Sequence, residues 1–328
     1  MVAESGNGLT HEEIQAAEGL LRFIEESPSA FHAVSALRAR FDKAGFVYLP
    51  EAQVWSCKPG GLYYTVRNGS SIIAFKVGGA VSEGYHFQIA ASHSDSPLFK
   101  IKAHPDLEGP GSYRRLNVEA YGGMIDYTWL DRPLSLAGRV MVQVENRIES
   151  RLVSLDRDVA LIPSLAIHMD HGVNSGFAPN RRIDLCPLIS SGALEKEALQ
   201  LLLANELDIH PDQILGYDVY LVNRQTPCIW GAADEFISAP RLDDLMCAYA
   251  SAEAFLQSSN DSSVSVYCCF DNEEVGSNTK QGAMSTFLPD VLMRLNGALG
   301  GTDEGYRRAL AGSLLGSCEN AHAVHPNH

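Results

Sequence analysis

Two short apolar runs, far apart in the chain, each lead directly into residues of the types that can ligate metals. His86–Ser92 (HFQIAAS) is followed at once by His93 and Asp95, and Val264–Phe270 (VSVYCCF) by Asp271-Asn272-Glu273-Glu274. A short apolar run bounded by polar residues and rich in β-branched or aromatic side chains reads as a buried strand. In open α/β sheets, ligands bind beyond the carboxyl ends of such strands. The two runs therefore predict an α/β fold that carries its chemistry at strand ends.

The flanking segments support that architecture. Thr10 and Glu13 form a capping-box pattern, with Ile14, Ala17, Leu21 and Ile24 at helical spacing and Ser27-Pro28-Ser29 as the stop. A second helix is predicted over Phe31–Ala44, with Val34, Leu37 and Phe41 on one face and Gly45 beyond it. Leu62–Arg67 and Ser71–Val77 read as a strand pair around Asn68-Gly69, and Leu242–Gln257 as a helix. Between them the pattern changes. Short strand-like runs (Arg139–Glu145, Arg151–Leu155, Val219–Asn223) are punctuated by Gly, Pro and Asn and interrupted by one helical stretch, Leu194–Leu207. The chain of 328 residues is long enough for two domains. The expected division is a discontinuous α/β domain, 1–99 with 233–328, carrying an inserted β-rich domain, 100–232.

Composition removes several classes of function. Hydrophobic residues make up 45% of the chain, enough for a sizeable core. A net charge of −15 repels phosphate backbones and anionic lipids, so nucleic acid and membrane surfaces are not expected partners. No apolar run reaches the roughly 18 residues of a membrane span. The opening MVAESGNGLTHEE lacks the basic start and apolar stretch of a secretory leader, and the seven cysteines form no CxxC pair. Both features predict reduced thiols and a cytoplasmic location. There is no G-x-S-x-G elbow for a serine triad and no glycine-rich nucleotide fingerprint in a strand–turn–helix context.

Four polar clusters remain. In His93-Ser94-Asp95 a neutral imidazole suits zinc, and the acid two residues on can accept the proton of the other ring nitrogen. Alone, the same triplet is an ordinary polar loop. Arg241-Leu242-Asp243-Asp244 opens a helix, where acids simply stabilise the first turn, or where one carboxylate bridges two metals. Glu273-Glu274 is a solvated turn, or a pair in which one carboxylate binds metal and its neighbour takes a proton from the attacking water. Ser317–Asn327 (SCENAHAVHPN) holds a carboxylate and two histidines, and reads either as a polar helix end halted by Pro326 or as a metal-ligating segment. A paired metal site draws His and carboxylate ligands from separate strand ends and needs one free carboxylate, and together the four clusters supply that set.

The ordered motifs resemble those of the M18 family of metalloaminopeptidases, which includes aspartyl aminopeptidase. The resemblance rests on Pro28–Val34 (PSAFHAV), Ala91–Pro97 (ASHSDSP), Tyr121-Gly122-Gly123 with Trp129–Arg132, and Ile167-His168. It continues through Asp234–Ile237, Arg241–Leu245, the DNEEVGS run Asp271–Ser277, and His322–Asn327. The resemblance implies a mixed-sheet α/β metallopeptidase domain with an inserted β-rich dimerisation domain. By the same resemblance His93, Asp243, Glu274 and Glu319 would bind metal, Asp243 as the bridge. Asp95 would orient His93, and Glu273 would be the general base. Glu319 stands where the family usually has Asp. His168 resembles a histidine that family members send from the inserted domain into a neighbouring subunit's site. Dimers that build to dodecamers are implied, as is a further metal-binding histidine in the quarter of the family's length that lies past His328.

The expected function is hydrolysis of N-terminal residues, acidic or neutral, from peptides with a free N-terminus. Two zinc ions per subunit are expected, with manganese or cobalt as chemically suitable substitutes. Two rivals belong to other classes: a catalytically inactive, self-assembling scaffold of the same fold, and a carboxypeptidase or amidohydrolase with a related paired site.

Overall fold

The computed structural model describes residues 9–328 apart from 83 and 195. Residues 1–8, on which the leaderless reading partly rests, lie outside the described residues. The chain forms two compact units: the stretch up to Ser96 together with Pro227–His328, and Pro97–Thr226. The elements are α1 (His11–Glu25), α2 (Ala30–Lys43), β1 (Val47–Tyr48), β2 (Leu62–Arg67), β3 (Ser71–Val77) and β4 (Phe87–His93). There follow β5 (Leu98–Glu108), β6 (Arg114–Tyr121), β7 (Leu134–Val144), β8 (Arg147–Ser154), β9 (Leu188–Ser190), α3 (Ala198–Leu207) and β10 (Ile214–Asn223). The chain ends with β11 (Cys228–Trp230), β12 (Phe236–Ser238), α4 (Leu242–Gln257), β13 (Val264–Phe270), α5 (Phe287–Ala298), α6 (Asp303–Ala311) and β14 (Leu314–Ser317).

The first unit is built on a mixed sheet in the order β1-β2-β3-β13-β4-β14. The β2–β3 hairpin closes at Asn68-Gly69, both in the left-handed region that this turn requires. β13 inserts between β3, antiparallel to it, and β4, parallel to it. Every residue of β13 is buried, so its side chains feed both faces of the sheet. Val264, Val266, Cys268 and Phe270 join Phe287, Val291 and Leu295 of α5 and Tyr306 of α6 in one core. Tyr267 and Cys269 join Phe23 of α1, Leu37 and Phe41 of α2, and Leu245, Ala248 and Phe255 of α4 in the other. Helices thus cover both faces, which is why the strands at the centre read as continuous apolar runs. Among the described residues no helix is long and apolar enough to cross a membrane.

The second unit is an antiparallel sheet in the order β8-β7-β10-β5-β6-β9. Its core comprises Phe99, Ile101, Val118, Leu136, Val140, Val219 and Leu221, with Leu199 and Leu203 of α3. β5 and β6 escape a period-two reading because the register slips between Ile101 and Asp106, around Pro105.

Candidate metal centre

β4, β13 and β14 run parallel side by side, so their carboxyl ends share one edge. His93, the last residue of β4, lies in register with Phe270, the last of β13. The ladder continues past both named ends: the Ser94 N–H donates to Phe270 O at 2.8 Å, and the Cys318 N–H donates to Ala91 O at 2.7 Å. Glu319 is therefore the first residue beyond a strand ladder, and the helix-end alternative for that segment does not hold. β14 was illegible in sequence because it is short, exposed and contains Gly316.

α4 brings two further carboxylates. Asp243 and Asp244 have non-helical backbone angles, and their side chains diverge. Asp243 is half-exposed, whereas Asp244 is fully buried and its Oδ2 accepts the His93 backbone N–H at 3.0 Å. Arg241 fixes this turn from behind, donating to Ser27 O at 3.1 Å and Ile24 O at 3.0 Å at the end of α1. Ser96 Oγ donates to Asp243 O at 2.8 Å. Asn320, the neighbour of Glu319, donates through Nδ2 to Leu242 O, joining the β14 end to the start of α4.

Around His93 Nε2 the acceptors close in. Asp243 Oδ1 lies at 3.5 Å, Glu319 Oε1 at 3.6 Å, Glu273 Oε2 at 3.9 Å and Asp244 Oδ2 at 4.0 Å. Two ligand-type groups result, His93 with Asp243, Asp244 and Glu319, and His93 with Glu273 and Glu274. On the other ring nitrogen, Nδ1 sits 3.0 Å from Asp95 O and 3.3 Å from Asp95 Oδ1. The Asp95 carboxylate also accepts the backbone N–H groups of Glu273 at 3.1 Å and Glu274 at 3.2 Å. Asp95 therefore orients the imidazole through its carbonyl and its carboxylate, and the carboxylate pins the turn that carries both glutamates. His168 is not among these groups; it lies exposed in the second unit, within the turn closed by the Met169 N–H donating to Ala166 O at 2.8 Å.

The charge balance of the cluster is lopsided. Burial opposes a charged His93, yet the Asp95, Asp244 and Glu319 carboxylates outweigh it and push its pKa up to about 10. Burial, reinforced by the Asp95 charge, pushes Glu274 up to about 7. Burial likewise raises Asp244 and Glu319, the latter also through its hydrogen bond with Asp243. These shifts have one cause, the crowding of carboxylates around a single imidazole. His93 Nε2 and Asp244 Oδ1 are buried atoms without a hydrogen-bond partner among the described residues. Tetrahedral zinc with ligands at about 2.1 Å sets neighbouring donors about 3.4 Å apart, close to the His93–Asp243 and His93–Glu319 separations. The residues present fit a divalent metal.

Asp244 was not singled out in sequence. Its signal was the Asp-Asp doublet itself, but adjacency alone does not show which carboxylate turns inward.

Comparisons with known proteins give the family and the fold. The family model described as Aminopeptidase I zinc metalloprotease (M18) matches residues 23–328. A probable M18 family aminopeptidase 2 of Clostridium novyi is 42% identical over 319 residues, covering 96% of this chain and 74% of the relative. Among solved structures, a cryo-EM structure of an Ape4 and Nbr1 complex superposes with a TM-score of 0.92 at 37% identity, covering 98% of this chain and 67% of that one. The mApe1 dodecamer of S. cerevisiae superposes with a TM-score of 0.85 at 27% identity, covering 97% and 74%. A mixed α/β sheet with an acid-rich histidine site at its strand ends fits the class of metal-dependent enzymes. The chain belongs to the M18 family of metal-dependent aminopeptidases.

Proposed function

We propose that this chain removes N-terminal residues, acidic or neutral, from peptides at a dinuclear site, with zinc as the first choice of metal and manganese or cobalt as substitutes. His93, Asp243, Glu274 and Glu319 would hold the ions, with Asp243 between them and the buried Asp244 beside it. When bound, the ions supply Lewis acidity toward a peptide carbonyl and a water nucleophile near neutral pH. Glu273 is the general base: it accepts the proton that the attacking water loses and returns it to the departing amine. Asp95 keeps Glu273 in place through the backbone N–H it accepts, and keeps the His93 ring in one orientation. The surplus of carboxylates also favours a substrate with a cationic α-amino group over one whose N-terminus is blocked.

Homo-oligomerisation completes the reading. The second unit, as an inserted dimerisation domain, would carry His168 to the site of a neighbouring subunit, where it would steady the developing oxyanion. The relative solved as a dodecamer supports assembly of this kind.

The observation that carries the proposal is His93 Nε2, buried without a hydrogen-bond partner among the described residues and faced by four carboxylates within 4.0 Å. The test is to strip the protein with a chelator, restore zinc, manganese or cobalt, and measure bound metal and cleavage of aminoacyl substrates. Two ions per chain and cleavage of free but not acetylated N-termini are expected. Fewer than one ion per chain with no turnover would replace the proposal with an inactive scaffold, and cleavage of blocked peptides would replace it with another class of peptidase.

A further inference from the structure

The turn that carries Glu273 and Glu274 is gripped twice. Asp95 accepts the backbone N–H groups of both glutamates. The second grip comes from the loop that follows. Between Asp271 and Gln281 the chain doubles back, and one hydroxyl closes the loop. Ser71 Oγ, at the start of β3, accepts the Asp271 N–H at 2.8 Å and donates to Gln281 O at 2.8 Å. The Gln281 side chain is buried, as is Asp271. Gln281 Nε2 donates to Asn272 Oδ1 at 2.7 Å and to Asp271 Oδ2 at 3.3 Å, which uses both of its N–H groups. Thr279 Oγ1 donates to the same Asn272 oxygen at 2.8 Å and accepts the Gly282 N–H at 3.1 Å.

These bonds bear on one residue. Asn272 stands directly before Glu273 with φ +67°, in the left-handed region. Asparagine tolerates that conformation better than most side chains do, but it does not prefer it, so something must hold it there. The Asn272 carbonyl accepts the Ser277 N–H at 2.8 Å, which closes the turn around both glutamates. A swing of Asn272 would carry the next two Cα–Cβ bonds with it. The loop has little slack: a Cβ on Gly282 would lie 2.2 Å from Ser277 O. We infer that Gln281 is a positioning residue for the Glu273-Glu274 pair. Its amide locks Asn272, and Asn272 sets the directions in which the two carboxylates leave the end of β13. The inference rests on the reading of Glu273 as the base and Glu274 as a metal ligand. It names what lets adjacent carboxylates keep separate posts against their mutual repulsion.

The experiment is a double-mutant cycle on the whole chain. Gln281→Met keeps a side chain of similar length and loses both donors. Asn272→Gly keeps the left-handed backbone and loses the acceptor. Three quantities are read: kcat and KM on an aminoacyl substrate with metal restored, zinc affinity by competition with a chromogenic chelator, and amide hydrogen exchange across residues 272–279 of the metal-free chain. Each single variant should lower kcat about 10- to 100-fold with KM unchanged, and weaken zinc binding by a similar factor. Exchange at Glu273, Glu274 and Ser277 should quicken while β13 stays protected. The double variant should be no worse than the poorer single one, because both changes break the same bond. Urea unfolding of every variant separates this from simple loss of fold. Lower stability with kcat and zinc affinity unchanged, or losses that multiply in the double variant, would make Gln281 a packing residue and overturn the inference. If the native chain cleaves nothing, the proposed function falls, and exchange at Glu273 and Glu274 decides the inference alone: quickened in both single variants it stands, unchanged it is overturned.

Discussion

Asp243 and Asp244 are chemically identical neighbours with opposite surroundings, one half-exposed toward His93 and one fully buried against its backbone N–H. Asp244→Asn keeps an acceptor for that N–H but removes a charge behind the imidazole. Metal affinity measured by competition with a chromogenic chelator should fall about 10- to 100-fold with the fold intact. Glu273→Gln tests the division of labour between the adjacent glutamates. Turnover should drop about 100- to 10,000-fold while bound metal stays unchanged, and loss of metal in step with activity would make Glu273 a ligand instead. Most of the residues that gather around His93 were legible in sequence as candidates, because histidine and carboxylate after an apolar run are a chemical signal. What adjacency could not encode was direction, which the turn at the start of α4 decides.

At the scale of elements, the site depends on packing that none of its ligands makes. Arg241 is half-buried, its desolvation lowers its pKa to about 10, and its guanidinium is spent on the carbonyls that end α1. Arg241→Ala should cost about 2 kcal/mol of stability in urea unfolding, because two buried acceptors lose a donor. It should also weaken metal binding by loosening the turn before Asp243. Phe41, fully buried between α2 and Tyr64, Phe255 and Tyr267, should cost about 3–5 kcal/mol when changed to Ala. The elements themselves were read unevenly. β2, β3, α4 and β13 follow their periodicity because each is a regular piece of a covered sheet or its helix layer. β14 and β5 were missed for opposite reasons: one is a short exposed strand with little pattern, the other a long strand whose alternation is broken at a register slip.

Across the whole molecule, one histidine sets an acid limit away from the metal cluster. Burial, with Arg241 nearby, lowers the His32 pKa to about 4, and Ser29 Oγ lies 2.8 Å from its Nδ1. The folded pKa lies below that of the unfolded chain, so this contribution is complete above about pH 6.5. Acidification favours the unfolded state from there down to about pH 4. The loss should amount to about 2 kcal/mol for this half-buried group, read as the difference between the native chain and His32→Gln in urea titrations at pH 7 and pH 4. Equal slopes in the two proteins would remove His32 as the cause. The sheet order has a separate consequence, for the ribosome. β3 and β4 are neighbours in sequence but not in space, because the slot between them belongs to β13. That strand is made only after the entire second unit, a wait of roughly 10–30 s at ordinary rates of translation. For that interval two apolar strands lack the partner that lies between them in the finished sheet, so chaperone cover is expected to matter during synthesis.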